Sequence, residues 1–265
     1  MIISKFIVNL YLKLAFIYHK WCCRPVKKRK VSSVYIIYRI SDCGYPKEKL
    51  AFVNNENCLK NAISRFPLDK CSWLIIADNI SDETYKMMLK YVSAENIWRV
   101  SIGNGAGTFR LAYEKAMSLT KNTLVYFLEN DYIHRKGALE ALLEAAECSE
   151  SEYITLYDNP DKYGYGNLNP FVKGGEKTRV FLTRSTHWKF TNSTTMTFAT
   201  FVDNLFRDKK IFWKWTNTKH PYDFDIFIEL GLKNRKLMCP IPGYSTHGDI
   251  EYVTPIIDWK KEITQ

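Results

Sequence analysis

Beyond residue 30 the chain alternates short apolar runs with longer stretches whose apolar residues recur at helical spacing. Residues 31–40 (VSSVYIIYRI), 71–78 (CSWLIIAD), 97–102 (IWRVSI) and 122–129 (NTLVYFLE) are rich in β-branched and aromatic residues, which predicts strands. Residues 48–66, 81–92 and 108–119 predict helices, the second opening with Ser81 and Glu83 in its first turn. Such alternation predicts an α/β fold with a mostly parallel, doubly wound sheet and helices on both faces. Ligands on these sheets bind beyond the carboxyl ends of the strands. Asp78, Asn104 and the group Glu129, Asn130 and Asp131 fall at those ends.

The second half is less regular. Residues 153–175 read as a strand followed by a loop dense in Gly, Pro, Asn and Tyr, and loops this long in a compact domain are usually functional or disordered. Residues 178–200 alternate like a smaller set of antiparallel strands, with Phe198 onward turning into a helix. Residues 220–249 predict a helix, a strand and a turn that holds His247. At 265 residues and 46% hydrophobic content the chain is long enough for a full core. A single domain over residues 31–265 is expected, preceded by a distinct segment, residues 1–30.

The formal net charge of +10 changes this picture only after it is located. Residues 1–30 hold eight Lys and Arg (Lys5, Lys13, Lys20, Arg24, Lys27, Lys28, Arg29 and Lys30) and no acid, so the rest of the chain carries only two of the ten charges. That distribution argues against nucleic acid as a partner. Ile3, Ile7, Leu10, Leu14 and Ile17 share one helical face, while Lys5, Asn9 and Lys13 recur on another. A spanning helix needs about 20 mostly apolar residues, and two lysines interrupt this stretch. A secretory signal would end in small residues, whereas Trp21, Cys22, Cys23 and Arg24 follow here. The segment is expected to lie in the interface of an anionic cytoplasmic leaflet, each basic residue near the surface contributing about 1 kcal/mol. The alternatives are a terminal helix packed on the protein's own body and a single-pass anchor. Seven cysteines without metal-ligand spacing point to a reducing compartment.

The strand at 122–129 ends in acid and is followed, through Asn130 and Asp131, by an amphipathic helix. Carboxylates at a strand mouth offer hard oxygen ligands for Mg2+ or Mn2+, which would neutralise a diphosphate leaving group. An acid there is also an ordinary helix cap.

The order of motifs decides between these. LIIADN (74–79), SIGNGAGTFRLAYEKAM (101–117) and LVYFLENDYIHRKGALEALLEAA (124–146) follow one another, and YDFDIFIELGLKNRKLMCPIPGYSTHG (222–248) comes roughly ninety residues later. In this order and spacing the chain resembles the GT-A glycosyltransferases, above all their family-2-like group, over residues 33–250. The resemblance implies a GT-A fold whose residues 31–131 bind a nucleotide-sugar, a UDP-sugar before others, and whose residues 132–265 form the acceptor half.

Residue by residue, the resemblance implies that Asp78 and Asn104 contact the donor nucleotide, with capping of the Ser81 helix as an alternative role for Asp78. Glu129, Asn130 and Asp131 match the D-x-D motif, with Glu129 in place of the usual first Asp. Asp131 is the expected ligand for Mn2+ or Mg2+, joined by His247 and Glu129. Asp223 matches the acid that deprotonates the acceptor hydroxyl in inverting members, with Asp225 in reserve and Tyr222 replacing the usual preceding Glu. His187, Trp188 and Tyr222, with residues 191–198, are expected on the acceptor side, and Lys173, Arg179 and Arg184 are candidates for meeting an anion. The implied product is an inverted glycoside on a glycan or lipid-linked glycan acceptor, in lipopolysaccharide or other surface polysaccharide synthesis. Two alternatives stand beside this. The glycine-rich IGNGAGTFR (102–110) echoes the triphosphate loop of sugar-phosphate nucleotidyltransferases, and the chain could instead be a catalytically degenerate scaffold on a membrane.

Overall fold

The four apolar runs of the first half form the parallel part of a nine-stranded sheet. In the computed structural model, which describes residues 5–22, 29–44, 47–148, 152–163, 169–172 and 175–264, these are β1 (Ser33–Ser41), β2 (Ser72–Asp78), β3 (Ile97–Val100) and β4 (Thr123–Glu129). The remaining strands are β5 (Tyr132–His134), β6 (Tyr153–Ile154), β7 (Val180–Leu182), β8 (His187–Thr191), β9 (Phe198–Phe201), β10 (Leu237–Ile241) and β11 (Ser245–His247). The sheet order is β3-β2-β1-β4-β9-β6-β10-β8-β7, with β5 and β11 paired separately. Strands β3 to β4 run parallel, β9 turns antiparallel against β4, and β8 and β7 close the far edge as antiparallel strands.

The helices are α1 (Lys5–Cys22), α2 (Asn55–Arg65), α3 (Asp82–Met88), α4 (Gly105–Met117), α5 (Ala138–Glu147), α6 (Val202–Trp215), α7 (Asp223–Leu232) and α8 (Trp259–Thr264). Strand side chains alternate between faces, and both faces are covered. Tyr38, Trp73 and Tyr126 pack with Leu59 and Phe66 of the α2 layer. Ile37, Val125 and Phe127 pack with Phe109 and Tyr113 of α4 and Phe212 of α6. Burial on both faces explains why β1, β2 and β4 read as continuous apolar runs, whereas β3 at the edge is half-exposed; each large buried side chain contributes about 1.5–3 kcal/mol.

Three local expectations change. Residues 48–54 are not helical. Asn54 caps α2, its side chain accepting the Asn57 N–H, and residues 47–53 form a strap that bridges Asp249 at Lys49 and turns over residues 50–53, where the Val53 N–H bonds the Leu50 carbonyl. That strap bonds to the turn after β11, through Leu50 N–H to the Gly248 carbonyl and Ile250 N–H to the Glu48 carbonyl. Phe198 begins a central strand, not a helix, and α6 starts only at Val202. Between β4 and α5 the chain adds β5, which pairs with β11 so that Tyr132 sits opposite His247.

Helix α1 presents a broad apolar surface to solvent: Phe6, Ile7, Leu10, Tyr11, Leu14, Phe16 and Ile17 are each 48% exposed or more. Among the described residues no helix is long and apolar enough to cross a membrane. Ile3, Cys23, Arg24, Lys27 and Lys28 lie outside the described residues. Arg29 is fixed to the domain, pairing with Asp203 at 2.8 Å and lying 3.6 Å from the centre of the Phe201 ring. Among the described residues, Cys43, Cys58, Cys71 and Cys239 are free thiols.

Candidate active site

Where β1, β2 and β4 end, the sheet opens into a cleft of about 570 Å3. Ser41, Asp78 and Glu129 line it from the strand ends, Asn130 and Asp131 from the following turn, and Asn104 from the start of α4. Asp223 reaches it from the start of α7, His247 from the end of β11, and Lys47 and Lys49 from the strap. A groove of about 700 Å3 lies at the opposite ends of β1 and β2, where Asp69 and Lys70 are the charged side chains in its wall.

Asp78 is buried and clamps the loop before α4. Its carboxylate accepts the N–H groups of Ile102 at 2.6 Å and Gly103 at 2.9 Å. Gly103 has a φ of +75°, a left-handed conformation that glycine adopts without cost. The Ser81 helix is capped by Ser81 itself, which accepts the Thr84 N–H, so the capping alternative for Asp78 does not hold. Asn104 caps α4 by accepting the Gly107 N–H at 2.7 Å. The Ala106 N–H bonds the Lys219 carbonyl. The amides of Ile102, Gly103, Ala106 and Gly107 are thus engaged inside the chain, which takes four donors from any phosphate cradle built on residues 102–110.

Glu129 is held by the sheet. Arg39, 6% exposed, lies beside it in register on β1, with Nη2 3.0 Å from Glu129 Oε1. Arg39 Nη1 also donates to the Gly105 carbonyl at 3.2 Å, tying β1 and β4 to α4. The Thr197 hydroxyl donates to the second Glu129 oxygen at 3.3 Å. Asn130 turns away from the acids, its amide donating to the Asn55 side-chain oxygen at 2.6 Å.

Asp131 Oδ2 faces two nitrogens, Lys49 Nζ at 3.3 Å and His247 Nε2 at 3.5 Å. His247 Nδ1 accepts the Asp249 N–H at 3.1 Å. That bond places the proton of the neutral ring on Nε2, pointing at Asp131. A metal-ligating histidine has the reverse arrangement, with a lone pair at the metal and its other N–H donated outward. Glu129 is engaged by Arg39, and Asp131 by Lys49. Among the described residues no group of three His, Cys, Asp or Glu is placed to hold a metal ion. The set Asp131, His247 and Glu129 therefore does not fit a divalent cation. Gly248 keeps this corner tight, since a Cβ there would come within 2.5 Å of Val53 Cγ1 and 2.9 Å of the Asp131 carbonyl.

Asp223 is the one carboxyl in the cleft with a markedly raised pKa, pushed up to about 7 by desolvation and by the nearby negative charge of Glu129. Its carboxylate accepts the Phe224 N–H at 2.8 Å, at the start of α7. A carboxyl tuned to the operating pH suits general-base work.

Four expected site residues do not line the cleft. Asp225 lies two residues, about half a turn, along α7 from Asp223, outside the cleft. Tyr222 is 48% exposed beside it and meets Trp215 edge-on at 6.3 Å. Trp188 is fully buried, its indole N–H donating to Thr183 at 3.0 Å, so it has no face to offer an acceptor sugar. His187 is exposed at the start of β8, paired with β10 and β7 and away from the cleft. From residues 191–198, Thr195 and Met196 do line the cleft. Arg184 pairs with Glu144 and Arg179 lies over Phe181 and Phe190, neither in the cleft. Lys173 lies outside the described residues. Sequence reading missed Arg39, Lys47 and Lys49. Arg39 had a signal, being the lone charge inside an apolar strand. Lys49 was hidden by the helical reading of residues 48–66.

The solved structures speak to the fold. GalNAc-T7 with UDP, GalNAc and Mn2+ aligns over 81% of this chain and 43% of its own length, at 10% identity and a TM-score of 0.51. The fold is GT-A. S. aureus TarS aligns over 83% of this chain and 59% of its own, at 14% identity and a TM-score of 0.49. The 4-diphosphocytidyl-2C-methyl-D-erythritol synthase of Anaerococcus prevotii aligns over 88% and 93%, at 12% identity and a TM-score of 0.42. No protein-family model matches the chain, and no curated protein matches it in sequence.

Proposed function

We propose that the protein is a glycosyltransferase that moves a sugar from a nucleoside-diphosphate donor to the hydroxyl of a glycan. The observation that carries this reading is the Asp223 carboxyl, held near neutrality on the wall of the cleft that the GT-A fold opens beyond β1, β2 and β4. The nucleoside lies against β1, β2 and the loop that Asp78 clamps. The diphosphate lies toward Lys47, Lys49 and His247. Asp223 takes the proton of the acceptor hydroxyl as that oxygen attacks the anomeric carbon, and the bond from that carbon to the diphosphate breaks. Attack opposite the leaving group gives an inverted glycoside.

The acceptor in this reading is membrane-borne, a lipid-linked glycan for a surface polysaccharide. The exposed apolar surface of α1 and the basic residues 1–30 support peripheral binding to an anionic cytoplasmic leaflet.

Thermal melts with UDP, GDP, CDP and dTDP, each with Mn2+, with Mg2+ or with a chelator, test the donor class. A ligand at a hundredfold excess over its Kd stabilises the native state by about 2.7 kcal/mol. One nucleoside diphosphate is expected to raise the melting temperature above the others. Equal melting with all four and with none contradicts the reading.

A further inference from the structure

The leaving diphosphate acquires negative charge as its bond to the sugar breaks, and something in the cleft must meet that charge. The expected cation has no ligand set here, for the reasons of tautomer and pairing given above. The same corner does hold two hydrogen-bond donors of this chain. Lys49 Nζ and His247 Nε2–H converge on one oxygen of Asp131, at 3.3 and 3.5 Å. Both groups line the cleft, as does Lys47, whose Nζ sits 3.3 Å from Asp249 Oδ2.

Each is fixed by backbone. The strap that carries Lys49 is bonded to the turn after β11 on both sides, by Leu50 N–H to Gly248 and Ile250 N–H to Glu48. The His247 ring is oriented by the Asp249 N–H and packed edge-on against Tyr132, with ring centres 5.2 Å apart. The strap thus fixes the Lys49 backbone, and Asp131 holds the ammonium beside the oriented imidazole.

We infer that this chain neutralises the leaving diphosphate with Lys49 and the Nε2–H of His247, so that its glycosyl transfer proceeds without a divalent cation. The inference rests on the glycosyltransferase reading. In the balanced step, the acceptor oxygen bonds to the anomeric carbon and its proton passes to Asp223. The electron pair of the broken bond stays on the terminal phosphate oxygen, where the Lys49 ammonium and the imidazole N–H donate to it. Asp131 then serves as the counter-charge that Lys49 leaves when the diphosphate arrives.

Calorimetric titration of the full chain with the four nucleoside diphosphates, in EDTA and in Mn2+, tests this. The nucleotide that binds is expected to show Kd values in the two buffers within about threefold of each other. Lys49→Met weakens binding by about tenfold or more, because a charge-assisted hydrogen bond to phosphate is lost. Asp131→Asn binds at least as tightly as the wild type, since it frees Lys49 and removes a negative charge facing the ligand. Binding that appears only with Mn2+ and is lost in Asp131→Asn overturns the inference while leaving the transferase reading intact, and so does unchanged binding by folded Lys49→Met. Absence of binding in both buffers overturns the transferase reading, and this inference with it.

Discussion

Arg39 and Glu129 stand opposite each other in register on neighbouring parallel strands, their charged groups 3.0 Å apart and the guanidinium almost wholly buried. Removing one partner of such a pair strands a charge, at a typical cost of about 3–5 kcal/mol. Arg39→Met is expected to lower stability by roughly that amount in urea unfolding, discounted somewhat because Glu129 is partly exposed. The double variant Arg39→Met with Glu129→Met recovers most of the loss. Equal destabilisation by the single and double variants would show that the pair is not what holds the strands' ends together.

Asp223 links activity to stability through pH. Its folded pKa of about 7 lies above the ordinary carboxylate value of 3.8. The folded state therefore favours the protonated form, and the stabilising effect of that preference is present at low pH and lost as pH rises through 7. Activity runs the other way, rising through pH 7 as the base ionises. Asp223→Asn is expected to raise the melting temperature by more at pH 8 than at pH 5. A variant stabilised equally at both pH values would mean that Asp223 titrates normally.

Trp188 belongs to the core and does not line the cleft. Trp188→Ala removes a fully buried indole and should cost about 3–5 kcal/mol. The milder Trp188→Phe lowers the melting temperature and leaves KM for donor and acceptor unchanged. A change in acceptor KM without loss of stability would return Trp188 to the acceptor site.

Sedimentation with vesicles tests α1. Full-length protein binds vesicles containing phosphatidylserine and is released by salt, as expected for basic residues beside an apolar helix. Removal of residues 1–28 abolishes binding and spares the melting temperature, because the apolar side chains from Phe6 to Ile17 are largely exposed and Arg29 remains on Asp203. Loss of thermal stability on that deletion would show that α1 belongs to the folded body.

Strands buried on both faces wrote themselves into the sequence as apolar runs, so β1, β2 and β4 were legible, as were the acids at their ends, while the half-exposed edge strand β3 was legible from its β-branched and aromatic residues. What the pattern could not carry was partner choice across long separations. Residues 48–54 have helical spacing, yet the bonds offered by the Gly248 turn draw them into a strap. Phe198 has neighbours suited to a helix, but β4 and β6 offer it two free edges and it becomes a central strand. Within the cleft, residue type identified Asp78, Glu129, Asp131, Asp223 and His247 as a group. Their bonding was invisible, because the partners Arg39 and Lys49 come from β1 and the strap, about 80 to 90 residues away.

The most direct measurement of the central claim is turnover of the nucleoside-diphosphate sugar whose nucleotide binds, followed as release of nucleoside diphosphate with and without glycan acceptors. The wild type is expected to release it faster with an acceptor, and Asp223→Asn to lose about 10²- to 10⁴-fold in kcat while binding the nucleotide with unchanged Kd. Full activity in Asp223→Asn, or no turnover of any sugar nucleotide by folded wild-type protein that binds the nucleotide, would contradict the account.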